Sequence, residues 1–140
     1  MVTTIRQLVA KVYRTLGPGY TESIYHNALE VLLRKHRMSY ETERIIPIVF
    51  EDHVIGNLRA DLIVEGSVIV ELKSTRTLTD ANRTQLQTYM HLLGITDGLL
   101  VNFGSERGLQ MEQVSGTHGQ FQVVPSSTTL DLDSHIPSPL

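Results

Sequence analysis

The chain has 140 residues, 41% of them hydrophobic, with a formal net charge of −3. That suffices for one domain with a core and not comfortably for two. It has no cysteine, which excludes disulfides, thiolate zinc sites and cysteine-ligated iron–sulfur clusters, and its acidic balance argues against strong non-specific nucleic-acid binding.

Ile5, Leu8, Val9, Val12, Tyr13 and Leu16 recur at helical spacing, so an amphipathic helix opens the chain and Gly17-Pro18-Gly19 ends it. Thr21 can cap a second helix reaching to His36, with Ile24, Ala28, Leu29, Leu32 and Leu33 as its apolar stripe. Glu22 falls in the first turn, where a carboxylate gains from the helix dipole. Glu22 and Tyr25, three apart, share a face and are expected to point into a site. Arg34, Lys35 and Arg37 read as a solvated helix face.

Ile45 to Phe50 is β-rich, and Pro47 gives it an edge or strand-start position. Glu51-Asp52-His53 is the turn that follows. Two apolar strands, Gly56 to Val64 and Val68 to Lys73, then fold into a hairpin around Glu65-Gly66-Ser67. Residues two apart share a face, so Glu71 and Lys73 project together, with Cα atoms roughly 7 Å apart; Val68, Val70 and Leu72 face the other way. A strand this apolar is normally buried, and a buried carboxylate beside an ammonium must be paired, metal-bound or neutralised. Alone, Glu-x-Lys reads as a structural ion pair of little energetic weight. Asp61 on the preceding strand changes that, because two carboxylates at short range repel unless a cation lies between them. Hard oxygen donors suit magnesium or manganese, and Lys73 is a point charge able to orient a metal-bound water or stabilise a phosphate.

Thr79 or Asp80 can cap a third helix to Leu93, with Leu86, Met90 and Leu93 buried and Gln85 and Tyr89 together on a neighbouring face. Arg76 and Arg83, just after the Glu71–Lys73 strand, are candidate phosphate contacts. Gly98 to Gly104 reads as a further buried strand, and Leu109 to Val114 and Gln120 to Val124 as weaker ones. The order predicts an α/β domain over residues 1–124, a mixed sheet flanked by helices. Residues 125–140 form a polar Ser-, Thr- and Pro-rich tail, flexible or docked on its own domain or a neighbour. No apolar run is long enough to span a bilayer and Met1 to Gln7 lacks the regions of a signal peptide, so a cytoplasmic location without a membrane partner is expected. The six histidines show no zinc-ligand spacing, and no Gly-x-Ser-x-Gly elbow is present.

These residues resemble the PD-(D/E)XK nuclease superfamily, and within it the small GxxExxY family. Gly19-Tyr20-Thr21-Glu22-Ser23-Ile24-Tyr25 supplies the naming motif, Arg59-Ala60-Asp61-Leu62 the aspartate strand and Val70-Glu71-Leu72-Lys73 the (D/E)xK. Gln85 to Tyr89 is similar to the superfamily's QxxxY helix, and Leu99 to Gly104 to the strand after it. Each motif is weak alone; five in order, over Ile5 to Gly104, are specific. The resemblance implies a central mixed sheet and a magnesium- or manganese-dependent nuclease acting on nucleic acid, DNA ahead of RNA. It implies Asp61 and Glu71 as metal ligands, with the Leu72 carbonyl and Glu22 as further ones. Lys73 would position the attacking water, and Gln85 and Tyr89 would orient the site or contact substrate. Tyr25, Arg76 and Arg83 complete the expected substrate contacts. Dimerisation, to cut both strands, is an analogy. The alternative is a non-catalytic module of the same fold that binds nucleic acid or a protein partner.

Overall fold

The computed structural model describes residues 1–117 and 120–124. Helix α1 spans Val2–Leu16 and α2 Glu22–Lys35; strands β1 (Tyr40–Phe50), β2 (His53–Val64) and β3 (Val68–Lys73) follow. Helix α3 (Asp80–Leu93) then leads to β4 (Asp97–Asn102), β5 (Gln110–Thr117) and β6 (Gln120–Val124). The six strands form one sheet in sequence order. All neighbours are antiparallel except β3 and β4, which run parallel. A parallel step needs a crossover, and α3 is that connection.

The helices cover the two faces of the sheet. Ile5, Leu8, Val9, Val12 and Tyr13 of α1 and Tyr25, Leu29 and Leu33 of α2 pack with Leu62, Val70, Leu72, Leu99 and Val101. On the other face Leu86, Tyr89 and Met90 of α3 pack with Ala60, Ile63, Ile69 and Leu100. Strand β3 is therefore apolar on both sides, the pattern of a strand between helical layers. Glu71 is the exception within it, and it lies 3% exposed.

Strands β1 and β2 begin earlier than the sequence expectation, β4 ends at Asn102 before Gly104, and β5 runs on to Thr117, three positions past Val114. Strand β1 begins at Tyr40, five positions before Ile45, because Glu41 to Arg44 are exposed on a sheet-edge strand and carry no apolar alternation. Pro47 sits on that edge, where its missing donor costs no ladder bond. Strand β2 begins at His53, since Glu51 and Asp52 both take positive φ (49° and 63°) and close a two-residue hairpin of the primed type. The tail expected over residues 125–140 lies outside the described residues. Among the described residues no helix is long and apolar enough to cross a membrane.

Candidate metal centre

The β2–β3 ladder starts at Val64↔Val68, continues through Ile63↔Ile69 and stops at Leu62↔Val70. At the next position side chains replace the backbone acceptors. The Asp61 N–H donates to Glu71 Oε1 at 3.0 Å, and the Leu72 N–H donates to Asp61 Oδ2 at 2.8 Å. Each carboxylate thus satisfies a backbone donor freed by the parting strands, which holds both at the fork. The opposite edge of β2 is irregular at the same residue. Rungs Thr42↔Leu62 and Arg44↔Ala60 flank a skipped pair, Glu43 and Asp61, and Glu43 takes the left-handed φ of 50°. Such backbone strain in a non-glycine residue costs of order 1–3 kcal/mol and leaves Asp61 outside both ladders.

Burial, then the negative charge of Asp61, push the Glu71 carboxyl up to about 8. The Asp61 backbone hydrogen bond and the Lys73 charge act the other way and do not prevail. At neutral pH Glu71 therefore keeps a proton, and the two carboxyls share a hydrogen bond. Tyr89, 2% exposed, brings its hydroxyl from α3 to the Arg59 backbone. Burial first and the nearby Glu71 second raise that hydroxyl's pKa. Gln85 is half-buried one turn earlier on the same helix. Lys73 is half-buried on the strand carrying Glu71 and within Coulombic reach of it.

Asp61 and Leu72 open into a cleft of about 320 Å³ walled by Glu22, Ser23, His26, Asn27 and Glu30 of α2 and by Thr42 and Glu43 of β1. Glu22 Oε1 accepts from the Ser74 N–H at a long 3.4 Å, tying the start of α2 to the end of β3. His26 and Glu30 form an ion pair at 3.0 Å. Sequence reasoning passed over His26, Glu30 and Glu43. The four-residue steps Glu22, His26, Glu30 were a legible signal of one shared helix face, whereas the left-handed kink that sets Glu43 beside the cleft has none.

The structure brings Glu22, Asp61, Glu71, Leu72, Lys73 and Tyr89 to the fork and the surfaces adjoining it. Tyr25 is corrected: its ring is fully buried and stacks on Phe103 at 4.0 Å, and its hydroxyl donates to the Gly17 carbonyl at 2.7 Å. The residue clamps the turn before α2 and offers no surface to a substrate, because a tyrosine three residues from Glu22 also faces the apolar stripe. Arg83 is also placed away from the cleft. It binds Glu112 on β5 at 2.9 Å and Asp80 at 2.8 Å, which uses its guanidinium in bracing α3 against the sheet. Arg76 is exposed and paired with Glu106 at 2.9 Å.

The loop after Lys73 is fixed by Asn102, which is fully buried. Its Oδ1 accepts from the Thr75 and Gly104 N–H groups at 2.9 and 3.0 Å. Its Nδ2 donates to the Thr75 carbonyl at 2.8 Å and Gln110 Oε1 at 3.0 Å. A Cβ on Gly104 would lie 2.6 Å from the Thr75 nitrogen, so only glycine permits this approach of two backbones.

The donor chemistry fits a hard divalent cation. Two carboxyls lie within hydrogen-bond range, one holding a proton that a cation would displace. Magnesium takes one or two protein carboxylates and keeps several waters. Among the described residues no three His, Cys, Asp or Glu side chains converge as a complete ligand set, so water and the Leu72 carbonyl would supply the remaining positions.

A family model described as the PD-(D/E)XK nuclease superfamily matches residues 1–114. The chain belongs to that superfamily. Nucleic acid is accordingly the substrate class of the group. The chain is also similar to a solved structure described as the crystal structure of SSO0001, which aligns with a TM-score of 0.54 at 25% identity over 68% of this chain. The aligned region spans 50% of that structure's own length. No curated protein matches the chain.

Proposed function

We propose that the protein is a metal-dependent nuclease of the GxxExxY kind that hydrolyses phosphodiester bonds, in DNA ahead of RNA. The observation that carries this reading is the pair Asp61 and Glu71 standing where the β2–β3 ladder stops, one rung beyond Leu62↔Val70. Burial, and next the charge of Asp61, keep Glu71 protonated, and a cation between the two carboxyls would relieve that repulsion. Asp61, Glu71 and the Leu72 carbonyl would hold magnesium or manganese, with Glu22 contributing directly or through water. When bound, such an ion lowers the pKa of water and polarises a phosphoryl oxygen.

The chain's own groups divide the remaining work. Lys73 orients the attacking water and offsets negative charge developing on the phosphate. Tyr89, whose hydroxyl lies within electrostatic reach of Glu71, and Gln85 would orient the site or contact substrate from α3. The Ser74 N–H holds Glu22 near the end of β3.

The test measures magnesium and manganese binding by calorimetry on wild type and Asp61→Ala, with thermal melts and a labelled panel of single- and double-stranded DNA. Binding and cleavage lost together in a folded variant are the expected result. A folded wild type that binds no metal even with DNA present would overturn the proposal. One observation favours a second reading, a non-catalytic module: both carboxylates are engaged in bonds that knit β2 to β3. In that case removing one should cost about 3–5 kcal/mol, and alanine variants would unfold instead of merely losing activity.

A further inference from the structure

The cleft at Asp61 does not end there. It shares Glu22 and Ser23 with a larger cavity of about 1040 Å³, which shares Arg76, Ser105 and Glu106 with a third of about 600 Å³. The three form one trough leading away from the carboxylate fork. Tyr20 stands on its wall, 44% exposed, beside the hydroxyls of Thr21, Ser74 and Thr75.

Tyr20 is held at both backbone groups. Its N–H donates to the Tyr25 hydroxyl at 3.2 Å, and its carbonyl accepts from Ser74 Oγ at 2.9 Å. Its ring meets the buried Tyr25 ring edge-on at 6.0 Å and 80°. A ring fixed in this way loses little freedom when a flat partner covers its open face. Farther along, Arg76 bridges to Glu106 at 2.9 Å with both side chains largely exposed, 85% and 78%. An exposed pair of this kind is worth no more than about 1 kcal/mol, so a phosphate can displace Glu106 from the guanidinium.

We propose that this trough is the path of an extended single nucleic-acid strand, with one base stacked on Tyr20 and a neighbouring phosphate on Arg76. The proposal rests on the nuclease reading for its purpose, though its test does not. A duplex hides its base faces and offers two rows of phosphates, which an acid-lined trough with few arginines cannot neutralise. A single strand exposes a π-face for every base, and stacking on aromatic side chains tolerates any sequence.

The test is fluorescence anisotropy with labelled oligothymidylate, labelled oligouridylate and a blunt DNA duplex, in EDTA and in magnesium, over a range of salt. Cleavage is measured separately. The expected result is a preference for single strands over duplex. Tyr20→Leu, which keeps apolar contact with Tyr25, weakens binding by about 5- to 150-fold, the cost of one stacked base; Tyr20→Phe does not. Arg76→Ala lowers the salt slope by about 0.7, one phosphate contact on a single strand, and Glu106→Gln tightens binding by freeing Arg76. The two oligonucleotides decide whether the strand is DNA or RNA. Tighter binding of the duplex, or an unchanged affinity in a folded Tyr20→Leu, would overturn the inference even if cleavage is found. Binding of this pattern without cleavage would instead sink the nuclease reading and leave the strand path standing.

Discussion

Asp61 and Glu71 exchange backbone donors across the fork: the Asp61 amide binds the Glu71 carboxylate, and the amide next to Glu71 binds the Asp61 carboxylate. Each acid is thereby fixed by the strand that carries the other. The arrangement is reciprocal, so a change at either residue alters the electrostatics of both.

The first consequence concerns protons. With the Glu71 carboxyl pushed up to about 8 by burial and by Asp61, a cation entering at neutral pH must expel a proton. Calorimetry of magnesium or manganese binding near pH 7, in two buffers of different ionisation enthalpy, should show release of about one proton. Apparent affinity should climb with pH until Glu71 is ionised. Metal binding that is indifferent to pH between 6 and 9 would contradict the assignment of Glu71.

Stability of the metal-free protein should follow the opposite trend. The folded state binds the Glu71 proton more tightly than the unfolded chain, whose carboxyl has the ordinary value of 4.5. The stabilisation is fully present below that value and lost as pH rises through about 8. Urea titrations in EDTA should therefore show the midpoint falling across this interval beyond any general trend. Glu71→Gln, which is neutral throughout, should remove that part of the slope, and magnesium should restore stability at the alkaline end of the wild type. A slope identical in wild type and Glu71→Gln would locate the titration elsewhere.

Lys73 separates catalysis from architecture. Its side chain is half-buried and touches the pair by charge, so its loss removes a favourable charge without opening a cavity in the core. Lys73→Ala should slow cleavage by about 10²–10³-fold, the usual scale for one electrostatic donor at a reacting phosphate or carbonyl. Its melting temperature should stay close to that of the wild type. An unfolded Lys73→Ala would favour the non-catalytic module, in which the charges serve as a structural network.

The sequence made the helices legible through the 3.6 period along α1 and α3, and β3 through its continuous apolar run broken at Glu71. Strand β1 was less legible, since an edge strand with Glu41 to Arg44 exposed has no alternating pattern to read. The same periodic logic misplaced Tyr25, because a residue at i+3 of Glu22 lies on the boundary between the cleft face and the apolar stripe. Only the packing against Phe103 decides which side it joins. Asn102 was read as one residue of an apolar strand, and its role depends on partners 27 and eight positions away, a separation that no local pattern encodes.

That role yields the last prediction. Asn102 has no contact with water, and its amide uses both ends: two backbone donors on Oδ1, a backbone carbonyl and Gln110 on Nδ2. Asn102→Ala would strand Thr75 and Gly104 groups inside the protein, at about 1–3 kcal/mol for each one left unsatisfied. Asn102→Asp keeps the two acceptor bonds but loses both donations and places a carboxylate against the Thr75 carbonyl, so it should be destabilising too. Gly104→Ala reaches the same loop by a different route, since its Cβ would press on the Thr75 backbone. All three variants should lower the urea midpoint. In those that remain folded, cleavage should fall because the chain leaving Lys73 has shifted, while metal affinity, set by Asp61 and Glu71 upstream on the fork, stays close to wild type. Metal binding lost along with cleavage in a folded Gly104→Ala would show that the loop and the fork move as one unit.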